Sequence, residues 1–347
     1  MSTLEHSLVG EAKGDFEGGI KTIGTPLPRY RRAPLQAPGL VLTVRDEALL
    51  EDVWRYGFLT TTQIELLRGA STEPALRFVS RLTLTRRLKL LFHHRYLQRL
   101  PRPLAQGSQE PVYVLDREGA RVLSLQHGEV GARPASRLPK TVALGHGLSI
   151  VQVRVALAVA GASAVREISA VGEICAMGES SGLYPDATEK IEILEWLPGA
   201  KTRFRVTLEA SGERRQSVSL IPDAGLVVRA GNEGSPKRRH YAFLEVDKGT
   251  EPGRILTEKV RAYIAYWQSG GFARDFRVPP GLGFWVLFVA PTPKRAATIL
   301  KSIAAVAGPR LMFRVALEEK MTPEHITEAV WREGEHHRWC QFWQVPS

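Results

Sequence analysis

Two acidic residues stand one residue apart at the end of an apolar run, in the segment LEVDKGTEP. In a strand, Glu245 and Asp247 would point to the same face, because side chains two residues apart share a face. Two carboxylates side by side repel each other unless a cationic group lies between them. We therefore expect a metal ion or a basic side chain next to this pair.

A third acid precedes the pair, in the segment PDAGLVV. If residues 222–228 and 243–247 form a hairpin, Asp223 reaches the same end of the sheet as Glu245 and Asp247. Three carboxylates that converge on one point are tolerated around a divalent cation, and a site of hard oxygen ligands suits Mg²⁺ or Mn²⁺. The sequence therefore predicts a metal site formed by Asp223, Glu245 and Asp247.

This arrangement resembles the PD-(D/E)xK nuclease motif, in which two acids bind magnesium and a lysine helps to activate the attacking water. The resemblance implies that Asp223 and Glu245 are the two acids. Asp247 occupies the lysine position and departs from the pattern. Lys259, on the helix that follows, is the preferred replacement, so the expected catalytic set is Asp223, Glu245, Asp247 and Lys259.

Three further residues near this motif were weighed for the same chemistry. Lys248 is adjacent to Asp247, but in a continuing strand it would point the opposite way. Glu173 or Glu195 could supply an additional acid, as the PD-(D/E)xK superfamily sometimes does, and nothing in the spacing selects between them. Lys259 is therefore preferred to Lys248 for the lysine, and an additional acid from Glu173 or Glu195 stays open.

The elements that position this site follow a helical N-terminal half. TVRDEALLEDVWRYG and TTQIELLRG have helical spacing and end at glycine, and the leucines of RLTLTRRLKLLFHH repeat at i, i+4 and i+7. YLQRLPRP and PVYVL indicate two short strands around a polar loop, and DREGARVLSL indicates a closing helix. This order predicts a winged helix-turn-helix, whose third helix normally enters the major groove of DNA.

The predicted third helix and wing carry the candidate DNA contacts. Basic and hydroxyl side chains there suit phosphate oxygens and base edges. A charged amphipathic helix can equally be a solvated face, and this alternative stays open. The expected DNA-binding residues are Arg81, Thr83, Thr85, Arg86, Arg87, Lys89, Arg99 and Arg102.

The charge distribution favours a polyanionic partner for the N-terminal half. The chain has 347 residues and a net charge of +11, and residues 1–140 hold 21 of the 47 basic residues against 14 of the 36 acidic ones. We expect double-stranded DNA as this partner rather than a membrane, since we find no apolar run near 18 residues. The two cysteines lie in no metal-binding spacing, which is typical of a cytoplasmic, disulfide-free protein.

The second half alternates strands and helices. A long apolar helix in LGHGLSIVQVRVALAVAGA precedes four strands, and GFWVLFVAP has the continuous apolar pattern of a strand buried on both faces. TPEHITEAVWREG is predicted to be a last short helix. The expected fold is a multidomain α+β or α/β protein: a flexible, basic Gly/Pro-rich arm (1–42), a winged-helix DNA-binding domain (43–125), a linker (126–140) and a mixed-sheet domain (141–347). The resemblance to the PD-(D/E)xK motif implies that this last domain is restriction-endonuclease-like.

Over about residues 44–331 the sequence resembles the bacterial replication-relaxation family of plasmids and other mobile elements. The resemblance rests on RYGFLTTTQIELLRG, RRLKLLFHHRYLQRL, VYVLDREGARVL, LGHGLSIVQVRVAL, PDAGLVV and FLEVDKGTEPGRILTEKVRAY. It implies a winged-helix, DNA-binding protein linked to plasmid replication or to relaxation of supercoiled DNA.

Three functions remain as hypotheses. The first is a DNA-binding protein whose second domain nicks or cuts DNA with Mg²⁺ or Mn²⁺. The second is a non-catalytic initiator or transcriptional regulator on a degenerate nuclease-like scaffold. The third, a covalent relaxase that uses Tyr263 or Tyr266, is disfavoured because the sequence lacks the two histidines separated by one apolar residue that a relaxase carries. A homodimer and contacts with plasmid replication or mobilisation proteins are expectations of the first two.

Overall fold

The computed structural model describes residues 30–33, 37–100, 110–128, 141–175, 191–209, 215–231 and 238–344. The helices in these ranges are α1 Val44–Tyr56, α2 Thr61–Gly69, α3 Arg81–His93, α4 Arg117–His127, α5 Thr141–Cys175, α6 Gly253–Gln268, α7 Gly271–Phe276 and α8 Pro293–Ala304. The strands are β1 Leu59–Thr60, β2 Leu97–Leu100, β3 Val112–Leu115, β4 Glu192–Pro198, β5 Phe204–Glu209, β6 Arg215–Leu220, β7 Ala224–Ala230, β8 Arg238–Val246, β9 Trp285–Ala290, β10 Phe313–Leu317, β11 Trp331–Glu333 and β12 Trp339–Cys340.

The N-terminal half forms the elements that the sequence predicted. Helices α1 and α2 both begin with a capping box, from Thr43 with Asp46 and from Thr60 with Gln63, which satisfies amide groups that the first turn leaves free. Gly57 ends α1 at a φ of 83°, a conformation that favours glycine. Strands β1, β3 and β2 form a three-stranded antiparallel sheet in that order. The element order matches a winged helix, and that assignment stays a prediction.

The described part of the N-terminal arm lies against this half. Arg32 donates to the backbone oxygen of Phe92, at 3.2 Å, and forms an ion pair with Asp116. The amide of Ala33 donates to Nδ1 of the buried His93, at 3.1 Å. The arm was expected to be flexible or solvated, and this short segment of it is packed instead.

A seven-stranded mixed sheet dominates the second half, in the order β12-β11-β10-β9-β8-β7-β4. Strands β8, β9 and β10 run parallel, and the flanking pairs are antiparallel. Most of β9 is buried, with neighbours on both sides, which agrees with its continuous apolar sequence. The chain thus has an α+β architecture with a large mixed sheet.

Helix α5 contributes to two hydrophobic cores. Its residues Leu148 and Val155 lie in the core of the N-terminal half, whereas Val153 and Leu157 lie in the core beneath the large sheet. Gly147 packs so closely on Phe58 that an added Cβ would meet the ring at 2.6 Å. Helix α5 therefore connects the two halves through buried contacts on both sides.

Residues 143–161 of α5 are long and apolar enough to cross a membrane by length and composition, with a mean hydropathy of 1.5. The expectation that the chain holds no such apolar run is therefore wrong. Half of this segment is buried within the fold. Two-sided burial of this kind is typical of a core helix, whose apolar faces all meet protein.

Two further expectations about the second half need correction. The stretch SVSLIPDAGLVVRAG (residues 217–231), predicted to be one of the four strands, divides in two, because β6 pairs with β5 in a separate two-stranded sheet while β7 joins the large sheet. The predicted last helix is wrong: turns and the short strand β11, which lies between β10 and β12, replace it. The reason is tertiary, since Ile326 and Trp331 are both buried and β11 pairs with β10.

Candidate functional site

The hairpin of β7 and β8 brings two acids together at one end of the sheet. Ala224 pairs with Leu244, so Asp223 and Glu245 flank this pair at the point where β7 begins and β8 ends. The Asp223 carboxylate accepts a 2.7 Å hydrogen bond from the Val246 amide, which ties the acid to the neighbouring strand. The hairpin predicted from residues 222–228 and 243–247 is confirmed.

Helix α6 supplies both partners of Glu245. Lys259 Nζ lies 2.9 Å from Oε2 of Glu245, and the Tyr263 hydroxyl donates to Oε1 at 2.6 Å. Lys259 and Tyr263 are four residues apart and therefore share one face of the helix. Lys259 lies where the sequence placed it, beside the first acid of LEVDKGTEP.

Burial governs the protonation of this corner. Desolvation raises the pKa of Glu245 to about 7, although Lys259 opposes the shift. Desolvation also raises the pKa of Asp223 to about 6, opposed by the Val246 amide. Burial by itself lowers the pKa of Lys259, but the Glu245 carboxylate more than offsets it and the pKa of Lys259 is raised. Carboxyl groups with raised pKa values gain from a nearby cation.

His146 joins the corner from helix α5. Its Nε2 lies 3.1 Å from Oδ2 of Asp223, and this nitrogen is buried without a well-oriented hydrogen bond among the described residues. Burial, with Lys248 and Lys259 nearby, lowers the pKa of His146. Sequence reasoning missed this residue because it lies 77 positions before Asp223. The sequence did indicate that His146 shares one face of a predicted helix with Ser149, three residues further along.

Asp247 has a different partner from its neighbour Glu245. Arg295 on α8 binds both of its oxygens, at 2.8 and 2.6 Å, and also donates to the Glu251 backbone oxygen. The cation expected next to the acidic pair is thus Lys259 for one acid and Arg295 for the other. Arg295 was missed by sequence reasoning, because a side chain 48 positions downstream leaves no local pattern.

The three acids Asp223, Glu245 and Asp247 do not assemble as the sequence predicted. Among the residues that the structure describes, no three His, Cys, Asp or Glu side chains are arranged to hold one metal ion. The physical reason is that Arg295 occupies both oxygens of Asp247. Asp223, Glu245 and Lys259 are the predicted site residues that the structure brings together.

The other residues weighed for this site lie elsewhere. Lys248 Nζ contacts Ser149 Oγ at 2.8 Å and Glu318 at 2.9 Å, so it points away from Glu245 as expected. Glu195 is exposed on β4, opposite Val227. The side chain of Glu173 is outside the described residues.

Neither tyrosine of α6 is placed as a nucleophile. Tyr263 and Tyr266 are both buried, and their hydroxyls donate to Glu245 and to Asp275. Burial, reinforced by these carboxylates, raises both pKa values above the usual range. A covalent phosphotyrosine needs an accessible, deprotonatable hydroxyl, which these residues do not offer.

The donor set of the corner fits a divalent cation with two protein ligands. Asp223 and Glu245 supply carboxylate oxygens, and the buried Nε2 of His146 has no well-oriented partner in the described part of the chain. Mg²⁺ and Mn²⁺ often take one or two protein carboxylates and complete their coordination with waters and substrate phosphate. Asp223 and Glu245 would hold the ion, with His146 next to it.

Three of the predicted DNA contacts are engaged within the protein. Arg81 lies against Glu65 and Glu110 in ion pairs. Arg87 binds the fully buried Asp46, with Nε 2.6 Å from Oδ1. Arg99 is buried, its guanidinium 4.7 Å from the centre of the Phe92 ring. These arginines hold the N-terminal half together.

The remaining predicted contacts have a different placement. Thr85 and Arg86 are exposed on α3, and Lys89 is half-buried there. Thr83 is also exposed, and its amide is capped by Ser80 at the start of α3. Arg102 lies outside the described residues. Thr83, Thr85 and Arg86 are therefore accessible parts of the predicted DNA surface.

Comparisons with known proteins bear on the whole chain. The sequence model of the replication-relaxation family matches residues 50–280. Comparison with curated proteins found no match. A solved structure of the restriction endonuclease FokI aligns with 82% of this chain and 46% of its own chain, at 12% identity and a TM-score of 0.25, so this chain spans less than half of that protein. Because the family match covers well over half of its length, the chain belongs to the replication-relaxation family.

Proposed function

We propose that this protein binds double-stranded DNA through its N-terminal half and cleaves one DNA strand with a divalent cation at Asp223, Glu245 and Lys259. The observation that carries the proposal is the contact of Lys259 Nζ with Glu245 Oε2, at 2.9 Å, next to Asp223 on the adjoining strand. Two acids at the ends of paired strands, with a lysine from the neighbouring helix, suit metal-dependent phosphodiester hydrolysis.

Each residue has a separate task in this proposal. Asp223 and Glu245 attract the cation, which stabilises negative charge that develops on the phosphate during cleavage. Lys259 stays protonated beside Glu245 and orients that carboxylate toward the scissile group. Tyr263 fixes the second oxygen of Glu245 from within the core.

The N-terminal half would deliver DNA to this corner. The exposed face of α3, with Thr85 and Arg86, suits a major groove, and the positive charge of residues 1–140 suits phosphate. A single nick relaxes a supercoiled plasmid, which agrees with the family description of replication-relaxation. We propose a plasmid or another mobile element as the setting, with a homodimer and mobilisation proteins as further predictions.

A second candidate function is a DNA-binding initiator or regulator without catalysis. One observation favours it: the acids of the corner already have partners inside the protein, since Glu245 binds Lys259 and Tyr263 while Asp247 binds Arg295. In this case the corner would be an ionic network that stabilises the fold. Buried ion pairs are common in such structural roles when their hydrogen bonds are satisfied.

One assay separates the two candidates. Purified protein is incubated with supercoiled plasmid and Mg²⁺, Mn²⁺ or a chelator, and nicked circles are quantified for wild type, Asp223→Ala and Glu245→Ala. Glu258→Gln is the matched control, because Glu258 is exposed on the same helix as Lys259. Binding of each protein to the same plasmid is measured in parallel by gel shift.

The outcomes differ clearly. If the protein cleaves DNA, wild type and Glu258→Gln should nick the plasmid only when a divalent metal is present. Asp223→Ala and Glu245→Ala should not nick it. Intact gel shifts without nicking in any metal would instead support the regulator. Nicking that persists unchanged in both acid variants would show that the reaction occurs at another site.

A further inference from the structure

We propose that His146 is a metal ligand, and that with Asp223 it forms a divalent cation site that prefers Mn²⁺ to Mg²⁺. This inference rests on the proposed function for the reaction that the ion serves, but the ion-binding site itself is argued from contacts. His146 comes from α5 and Asp223 from the start of β7, so two separate elements of the fold meet at this point.

The first argument is the environment of the imidazole. Its side chain is 35% exposed as a whole, yet Nε2 is buried and faces Oδ2 of Asp223 at 3.1 Å. The two atoms do not meet at hydrogen-bond angles, and Nε2 has no other partner in the described ranges. Burying a polar nitrogen without a hydrogen bond is costly, so a ligand at this nitrogen would relieve that cost.

The second argument is distance. Two neighbouring ligands of an octahedral ion, each about 2.1 to 2.2 Å from the metal, stand about 3 Å apart. The 3.1 Å between His146 Nε2 and Asp223 Oδ2 agrees with this separation. A cation can therefore bind both atoms with little change in the backbone.

The charge around the site also suits a cation. Glu245 lies beside Asp223 at the same end of the sheet, and its carboxyl would offset the positive charge of a bound ion.

The preference among metals follows from ligand type. Oxygen donors alone suit Mg²⁺, whereas an imidazole nitrogen favours transition metals, among which Mn²⁺ also accepts carboxylates. A site of two carboxylates alone would suit Mg²⁺, and the imidazole of His146 shifts the preference of the site toward Mn²⁺.

Contacts around α5 hold His146 in position. Ser149, one turn further along the same face, accepts a 2.8 Å hydrogen bond from Lys248 in the turn after β8. On the other side, Gln63 of α2 donates to Gln152 at 3.1 Å. The proposed ligand is therefore carried by the helix that packs on the N-terminal half.

The test measures the ion directly on the full chain. Mn²⁺ is titrated into the protein while its free concentration is followed by electron paramagnetic resonance, and pulsed measurements on bound Mn²⁺ detect coupling to a ligand ¹⁴N nucleus. Variants are His146→Ala, Asp223→Asn and the control His325→Ala, which removes a surface histidine paired with Glu328. Mg²⁺ affinity is obtained by competition with Mn²⁺.

We expect ¹⁴N coupling in the wild type and in His325→Ala. His146→Ala should abolish the coupling and weaken Mn²⁺ binding by about 10-fold or more, with a smaller loss for Mg²⁺. Asp223→Asn should weaken the binding of both Mn²⁺ and Mg²⁺. If His146→Ala does not fold, His146→Gln takes its place as the variant that lacks the imidazole.

Three results would each overturn the inference. They are no bound Mn²⁺ in the wild type, bound Mn²⁺ without ¹⁴N coupling, and ¹⁴N coupling that persists in His146→Ala. The nicking assay is independent of this outcome. Nicking that needs Asp223 and Glu245 without nitrogen coupling leaves the proposed function standing and removes His146 as a ligand. Nitrogen coupling without nicking would support the metal site and contradict the proposed cleavage reaction.

Discussion

Nζ of Lys259 lies 2.9 Å from Oε2 of Glu245, and this contact joins helix α6 to the end of strand β8. Glu245 is 3% exposed, so its charge has little solvent to stabilise it. The lysine provides that stabilisation and places a cation beside the first acid of LEVDKGTEP. The following predictions test what this corner and its neighbours do.

Replacing Lys259 with methionine should abolish cleavage while leaving the fold intact. Glu245 can take up a proton once its partner is gone, because burial already raises its pKa to about 7. We expect the nicking rate to fall by at least about 100-fold, the range of a group that acts on proton transfer or charge. DNA affinity and Glu258→Gln, the control on the exposed face of α6, should stay at the wild-type level.

Tyr263→Phe tests whether this tyrosine is a nucleophile or a positioning residue. The phenylalanine keeps the packing and loses the 2.6 Å hydrogen bond to Glu245. We expect nicking within about 10-fold of wild type, since one hydrogen bond to a charged group contributes about 1.5 kcal/mol or somewhat more. A denaturant-resistant protein–DNA adduct that forms with wild type and disappears in this variant would contradict the assignment.

Arg86→Ala should change DNA binding, whereas Arg87→Ala should change the stability of the fold. Arg86 is exposed, so its loss should weaken DNA binding and reduce the salt slope by about 0.9 for one lost phosphate contact. Arg87 neutralises the buried Asp46, so its loss should lower the free energy of unfolding by about 2 to 3 kcal/mol. Urea denaturation and salt-dependent binding titrations measure the two effects, and each variant is the control for the other.

A pH dependence is expected from His93. Burial, followed by nearby Arg99 and Lys89, lowers the pKa of this histidine in the folded state. The folded protein therefore binds this proton less well than the unfolded chain, and the contribution of His93 to stability is present above about pH 6.5 and is lost as the pH falls below it. His93→Gln keeps an acceptor for the Ala33 amide without titrating.

The measurement is the free energy of unfolding of wild type and His93→Gln between pH 5 and pH 7. The wild type should lose up to about 1.4 kcal/mol per pH unit relative to the variant. Buried acids such as Asp52, with a pKa of about 6, have the opposite sign but cancel in this comparison. Parallel curves for the two proteins would exclude His93 as the source.

Much of the corner could be predicted from the sequence, because its parts are local. The hairpin follows from two short apolar runs around a polar turn. Lys259 follows from the resemblance to the PD-(D/E)xK motif, which implies a lysine on the helix after β8. His146 and Arg295 could not be predicted, because they reach the acids from helices α5 and α8 and only the packing of those helices brings them close.

The difference between local sequence pattern and tertiary packing also explains the errors in the predicted fold. The segment after Met321 has helical spacing, yet Ile326 and Trp331 are buried and β11 pairs with β10, so tertiary packing overrides the local preference. The end of β4 shows a similar constraint: an added Cβ at Gly199 would meet the Pro222 backbone oxygen at 2.4 Å. This close contact between Gly199 and Pro222 restricts the segment before Asp223, and no sequence pattern predicts it.

The central claim is that Asp223 and its partners cleave DNA. Asp223→Asn keeps an oxygen to accept the Val246 amide and removes the negative charge, so the variant should fold. The most direct measurement is the rate of first-strand nicking of supercoiled plasmid by this variant, at concentrations that give the same DNA occupancy as wild type. We predict a rate at least about 100-fold below wild type in both Mg²⁺ and Mn²⁺. A rate within threefold of wild type would contradict the account.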